Sequence, residues 1–107
     1  MEYILNNEIT SILIVDDQHA NLVVLEAILK KENYFIQRAS SGKETLEKVL
    51  QLNFDCIILD VQMPEIDGFE VAEILSSVEK TKNIPIIFLT ALSIEKDYIL
   101  KGYSSGA

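Results

Sequence analysis

The chain has 107 residues, 49% of them hydrophobic, with nine Lys and Arg against seventeen Asp and Glu for a formal net charge of −8 at pH 7. A chain of this length forms one domain and withdraws roughly 60–70% of its unfolded surface from water, enough for a core without disulfides or structural metal. The lone Cys56 excludes an internal disulfide and a four-cysteine zinc site, few and scattered cations argue against direct nucleic-acid binding, and no apolar run approaches the roughly 18 residues that would cross a bilayer.

Residues 1–10 hold Glu2 and Glu8 but no Lys or Arg, so they lack the basic flank of a secretory signal. They are read as a leader to a domain at 11–107, and cytoplasmic residence is expected. Ile12-Leu13-Ile14-Val15 is a continuous apolar run closed by Asp16-Asp17, the pattern of a strand covered on both faces. Leu22, Leu25, Ile28 and Leu29 recur at helical spacing and predict a helix over 21–31 with these four facing inward. Phe35 to Ala39 reads as a second strand. Ser41-Gly42-Lys43-Glu44 has the Ser-x-x-Glu pattern of a reciprocal helix cap, and Leu46, Val49 and Leu50 are assigned to the buried face of the helix that follows.

Cys56-Ile57-Ile58-Leu59 predicts a third strand ended by an acid, Asp60. Met63 reads as a plug under the next loop and Pro64 as a turn residue. Asp67-Gly68-Phe69-Glu70 offers a second capping box, with Gly68 placed for close backbone approach or an unusual dihedral. Pro85 introduces a fourth strand, Ile86 to Leu89, which ends at Thr90; a weaker helix is predicted over about 93–103. Cys56, Phe54, Phe69 and Phe88 are read as core, and His19 as exposed.

Strands alternating with helices predict an α/β, doubly wound parallel sheet. In such sheets ligands sit beyond the carboxyl ends of the strands, where Asp16, Asp17, Asp60 and Thr90 all fall. Carboxylates gathered there repel, each close pair by about 4 kcal/mol at 4 Å and an effective dielectric near 20. A hard divalent cation relieves that repulsion, and Mg²⁺ takes one or two carboxylates while keeping waters and phosphate oxygens. Acids, cation and a hydroxyl donor suit phosphoryl transfer, which needs alignment and charge neutralisation above all.

Asp16-Asp17 after the first strand, Asp60 followed by Val61-Gln62-Met63-Pro64-Glu65-Ile66-Asp67-Gly68, and Thr90-Ala91 after the fourth strand resemble the receiver domains of two-component response regulators. The resemblance runs from about Ser11 to the last residue. It implies a flavodoxin-like sheet with strand order 2-1-3-4-5, and Asp60 as phosphoacceptor for a phosphohistidine on a sensor histidine kinase or phosphotransfer protein. It further implies Asp17 as a direct Mg²⁺ ligand, Asp16 as the neighbouring acid that holds the metal through water, and the backbone carbonyl of Gln62 as another ligand. Thr90 is implied as the switch hydroxyl that turns toward the phosphoryl group, and Ala91 as the small residue beside it. Gln62 and Leu92 would flank the path of an attacking water, so the bulky, apolar Leu92 implies slow self-dephosphorylation.

Family members also carry a fifth strand ending in Lys-Pro and a fifth helix, which this sequence does not reach before Ala107; Lys96 and Lys101 do not match that lysine. A chain cut short there is expected to bind Mg²⁺ weakly, to take up a phosphoryl group slowly or not at all, and to self-associate through the edge of its fourth strand. An alternative reading is a binding or dimerisation module that works without phosphorylation. A haloacid-dehalogenase-type hydrolase would need a second acid two residues after Asp60, where Gln62 stands. A flavin or nucleotide binder would need a phosphate cradle where Asp16-Asp17 stand.

Overall fold

Side-chain alternation along short apolar strands is what builds the two faces of this domain. The computed structural model describes residues 9–89, in the order β1 (Ser11–Val15), α1 (His19–Leu29), β2 (Phe35–Ala39), α2 (Gly42–Gln51), β3 (Cys56–Asp60), α3 (Gly68–Ser76) and β4 (Ile86–Leu89). The expected helix over 93–103 and residues Thr90, Ala91, Leu92, Lys96 and Lys101 lie outside the described residues, as do residues 1–8 of the expected leader.

The four strands form one parallel sheet in the order β2-β1-β3-β4. Val15 lies opposite Ala39 on one side and Leu59 on the other, and Asp60 lies opposite Leu89. Leu13, Val15, Ile57 and Leu59 point to one face, where they pack with Val49, Val71, Ala72 and Leu75 of α2 and α3. Ile12, Ile14 and Ile58 point to the other, against Leu22, Leu25 and Leu29 of α1. Burying each such aliphatic side chain contributes about 1.5–3 kcal/mol, which makes the pair β1 and β3 the rigid centre of the sheet.

Both capping predictions meet their backbone partners. Ser41 Oγ accepts from Glu44 N at 3.0 Å, while Glu44 Oε1 reaches one residue farther back than the reciprocal pattern requires, accepting from Ser40 N at 2.8 Å. At α3 the box is complete: Asp67 Oδ1 accepts from Glu70 N at 2.9 Å, and Glu70 Oε1 from Asp67 N at 3.0 Å. Caps of this kind are each worth about 1 kcal/mol.

Three expectations are corrected. Helix α1 begins at His19 rather than about 21, just after the turn in which Asp16 Oδ1 accepts from Gln18 N, and it ends at Leu29 rather than about 31. Ile28 is 59% and Leu50 69% exposed; each is rotated about 100° from its inward neighbour, Leu29 or Val49, and so leaves the stripe that faces the sheet. Strand β4 is covered less completely than its apolar run predicts, with Ile86 buried and Ile87 52% exposed. Among the described residues β4 pairs only with β3, and no helix there is long and apolar enough to cross a membrane.

Candidate functional site

β1 has β2 on one side and β3 on the other, so the connections leaving β1 and β3 diverge and open a crevice at the carboxyl rim. The backbone carries the sheet geometry one step past the strands: Asp16 N donates to Ala39 O at 3.1 Å and Val61 N to Leu89 O at 3.0 Å. Asp16 and Asp60 are therefore aimed by sheet backbone rather than by a free loop.

Asp16, Asp17 and Asp60 meet at this rim, each offering a carboxylate oxygen such that the three atoms lie within 4.8 Å of one another. Asp16 is buried, Asp60 half-buried and Asp17 exposed. Asp16 Oδ1 accepts from Gln18 N at 2.9 Å, and its Oδ2 accepts from Asn21 Nδ2 at 3.1 Å. Gln62 N donates to Asp60 Oδ1 at 3.3 Å, which brings the Gln62 main chain beside the Asp60 carboxylate. Among the described residues none of the three acids forms an ion pair.

The neighbouring acids act on Asp60 in addition to its burial. Burial, and then the facing Asp16 carboxylate, push its carboxyl up from 3.8 to about 6, with Asp17 adding to the effect and the Gln62 and Val61 amides opposing it. The cluster is one of hard oxygen donors carrying excess negative charge, without imidazole or thiolate. These residues fit Mg²⁺ and do not fit a structural zinc.

The loop after Asp60 is held down from below. Met63 is buried in the core face shared by α2 and α3, as a plug should be. Gly68 N donates to Val61 O at 2.9 Å, and a Cβ at Gly68 would stand 2.3 Å from the Asp60 carbonyl oxygen, so close approach is the reason for this glycine. Glu65 has φ +69°, a left-handed conformation rarely taken by residues with a side chain.

Of the residues predicted for the site, Asp16, Asp17 and Asp60 are brought together, and Gln62 meets Asp60 through its backbone N–H rather than the expected carbonyl; Thr90 lies outside the described residues. His19 is exposed at the start of α1 and is not part of the acid cluster. Cys56 is half-buried on the α1 face, where burial pushes its thiol up and keeps it protonated and unreactive near neutral pH. Sequence reading passes over Asn21. Its signal is positional: a short amide five residues after Asp16, across a strand end and the first turn of a helix.

Comparison with known proteins bears on the family and the fold. The profile of the family described as "Response regulator receiver domain" matches residues 12–107. The transcriptional regulatory protein SrrA of Staphylococcus aureus is 40% identical over 96 residues, covering 90% of this chain but 38% of its own length, so the chain spans about two-fifths of such curated relatives. The chemotaxis response regulator CheY4 of Vibrio cholerae superposes with a TM-score of 0.83 at 30% identity, covering 94% of this chain and 82% of that one. The signal receiver domain of a signal transduction histidine kinase from Syntrophus aciditrophicus superposes with a TM-score of 0.80 at 33% identity, covering 92% and 74%. With the profile matching residues 12–107 of this chain and the fold shared with solved members, the chain belongs to the response regulator receiver domain family of two-component signalling.

Proposed function

We propose that this domain is a phosphoacceptor in a two-component phosphorelay, with Asp60 taking a phosphoryl group from a phosphohistidine on a sensor histidine kinase or phosphotransfer protein. The observation that supports it most is the convergence of Asp16, Asp17 and Asp60 at the rim, with the central acid half-buried and under like-charge repulsion. In this reading a carboxylate oxygen of Asp60 forms a bond to phosphorus as the P–N bond of the donor breaks. The electron pair returns to the imidazole nitrogen, which takes up a proton from solvent, and Asp60 becomes an acyl phosphate.

Asp16, Asp17, Asp60 and the Gln62 carbonyl would hold Mg²⁺, which when bound supplies neutralising charge for the incoming phosphoryl oxygens. Asp16 is oriented by Gln18 and Asn21, and the Asp60 backbone is seated against α3 through Gly68. Both devices limit movement of the acceptor, and positioning supplies most of the rate in this chemistry. Thr90 is assigned the switch hydroxyl, residues 11–107 the receiver domain and residues 1–10 the leader. In this reading the protein works in the cytoplasm.

The test uses the full natural chain that carries this sequence, incubated with MgCl₂ and acetyl phosphate or phosphoramidate and then weighed intact. One added phosphoryl group, stable in acid, lost in base and absent from Asp60→Asn, is the expected result. No uptake from small donors or from a phosphorylated histidine kinase would leave the alternative, a binding module that acts without phosphorylation. A second copy is a further partner in this proposal: β4 pairs only with β3 among the described residues and exposes Ile87. Light scattering that finds only monomer at high concentration would remove that partner.

A further inference from the structure

Asp16 is the most enclosed acid of the cluster, 6% exposed, and the one whose orientation is fixed twice. The Gln18 amide holds Oδ1 and the Asn21 amide holds Oδ2. One donor on each oxygen fixes the carboxylate plane and leaves lone-pair capacity on both oxygens for a further partner. Asp17, the next residue, is exposed and accepts no hydrogen bond among the described residues. The rim thus pairs a rigid carboxylate with an adaptable one.

Helix α1 does not account for Asn21. Its backbone N–H bonds Gln18 O at 3.0 Å as part of the first turn, which any residue but proline could supply. Its side chain is exposed, and Asn is a poorer helix former than Ala. The described contact of that side chain is the one to Asp16.

We infer that Asn21 is a positioning residue that locks the Asp16 carboxylate and so biases the cluster toward a small, geometrically demanding cation such as Mg²⁺ over a larger one such as Ca²⁺. The inference rests on the reading of Asp16, Asp17 and Asp60 as a divalent-cation site. Mg²⁺ requires near-octahedral oxygens at about 2.0–2.1 Å, whereas Ca²⁺ accepts six to eight ligands at about 2.3–2.6 Å in flexible arrangements. Removing the Asn21 amide leaves the charge of the cluster unchanged, so the general attraction for any divalent cation remains. What is lost is preorganisation, which the stricter ion needs more.

The experiment titrates the metal-free full chain with MgCl₂ and, separately, CaCl₂ by calorimetry, for wild type, Asn21→Ala and Asn21→Gln, alongside thermal unfolding without cation. Asn21→Ala is expected to weaken Mg²⁺ binding about tenfold and Ca²⁺ binding by less than about threefold, with an unchanged or higher unfolding midpoint. Asn21→Gln, which keeps an amide donor, is expected to recover part of the Mg²⁺ affinity. Wild type that binds Mg²⁺ with Asn21→Ala its equal overturns this inference alone. Equal losses for both ions with a lowered midpoint also overturn it, because they make Asn21 a structural residue. Wild type that takes up neither ion overturns both the inference and the cation site beneath it.

Discussion

Gly68 stands against the backbone of Asp60 so closely that a methyl group there would lie 2.3 Å from the Asp60 carbonyl oxygen and 2.9 Å from Val61 Cα. Those atoms belong to the carboxyl end of the central strand β3 and its continuation, which cannot yield as a flexible side-chain end would. Gly68→Ala must therefore push α3 away from the rim or twist the Asp60 peptide. A loss of about 1–3 kcal/mol in urea unfolding is expected, accompanied by weaker Mg²⁺ binding because the Asp60 carboxylate moves with its backbone. A variant that matches wild type in both measurements would show slack at this contact.

The extent to which this was legible in advance depends on how local each cause is. The strands could be read because β1, β3 and β4 are unbroken apolar runs with acids, a proline or a polar residue at their limits. Asp16, Asp17 and Asp60 could be read because a parallel sheet puts successive strand ends on one rim. The requirement for glycine at 68 was legible, but its partner was not, since only the folded chain brings α3 onto the carbonyl of Asp60. Ile28 and Leu50 misled because apolar character marks a helix face only to within one residue's rotation, and each sits one step off the stripe. Asn21 was invisible for a different reason: an exposed amide on a helix carries no pattern until its hydrogen bond to Asp16 is seen.

Asp60 imposes a pH dependence whose sign follows from its raised pKa. The folded carboxyl titrates near 6 and the unfolded one near 3.8, so between these values the native state binds more protons and stability falls as pH rises. The contribution is fully present below about pH 4 and lost once pH passes through about 6. Asp60→Asn should match wild type near pH 3.5 and exceed it at pH 7 in the absence of divalent cation. Solvent reaches the half-buried carboxylate, so the gain is about 1 kcal/mol rather than the full value of the shift. Added MgCl₂ should narrow the difference by stabilising wild type preferentially. Urea midpoints measured across this pH range with a constant difference between the two proteins would contradict the account.

Glu65 occupies φ +69° immediately after Pro64, and its side chain is exposed. A left-handed conformation costs a residue with a Cβ roughly 1–2 kcal/mol, whereas glycine adopts it freely but loses more chain entropy on folding. The two effects oppose each other, and the conformational strain is the larger. Glu65→Gly is expected to raise stability by about 0.5–1 kcal/mol, Glu65→Asn by less, and Glu65→Val to lower it. A chemical unfolding series that ranks Val above Gly would reject strain at this position.

Lys80 joins the segment before β4 to the far end of α2. Its Nζ donates to Val49 O and, at 3.1 Å, to Leu52 O, carbonyls at the C-terminal end of α2 that lack helical donors of their own. A cation there also meets the negative end of the helix dipole. Because Lys80 is exposed, water can replace it at these carbonyls, which limits the effect of its loss. Lys80→Met keeps most of the apolar stem and removes only the donors, so it should cost about 1 kcal/mol and raise amide exchange at Leu52, whose N–H closes the last turn on Lys48 O. The acid cluster is at the opposite rim of the sheet, and Mg²⁺ affinity should not change. Loss of stability without faster exchange at Leu52 would place the effect outside α2 and remove the capping role from Lys80.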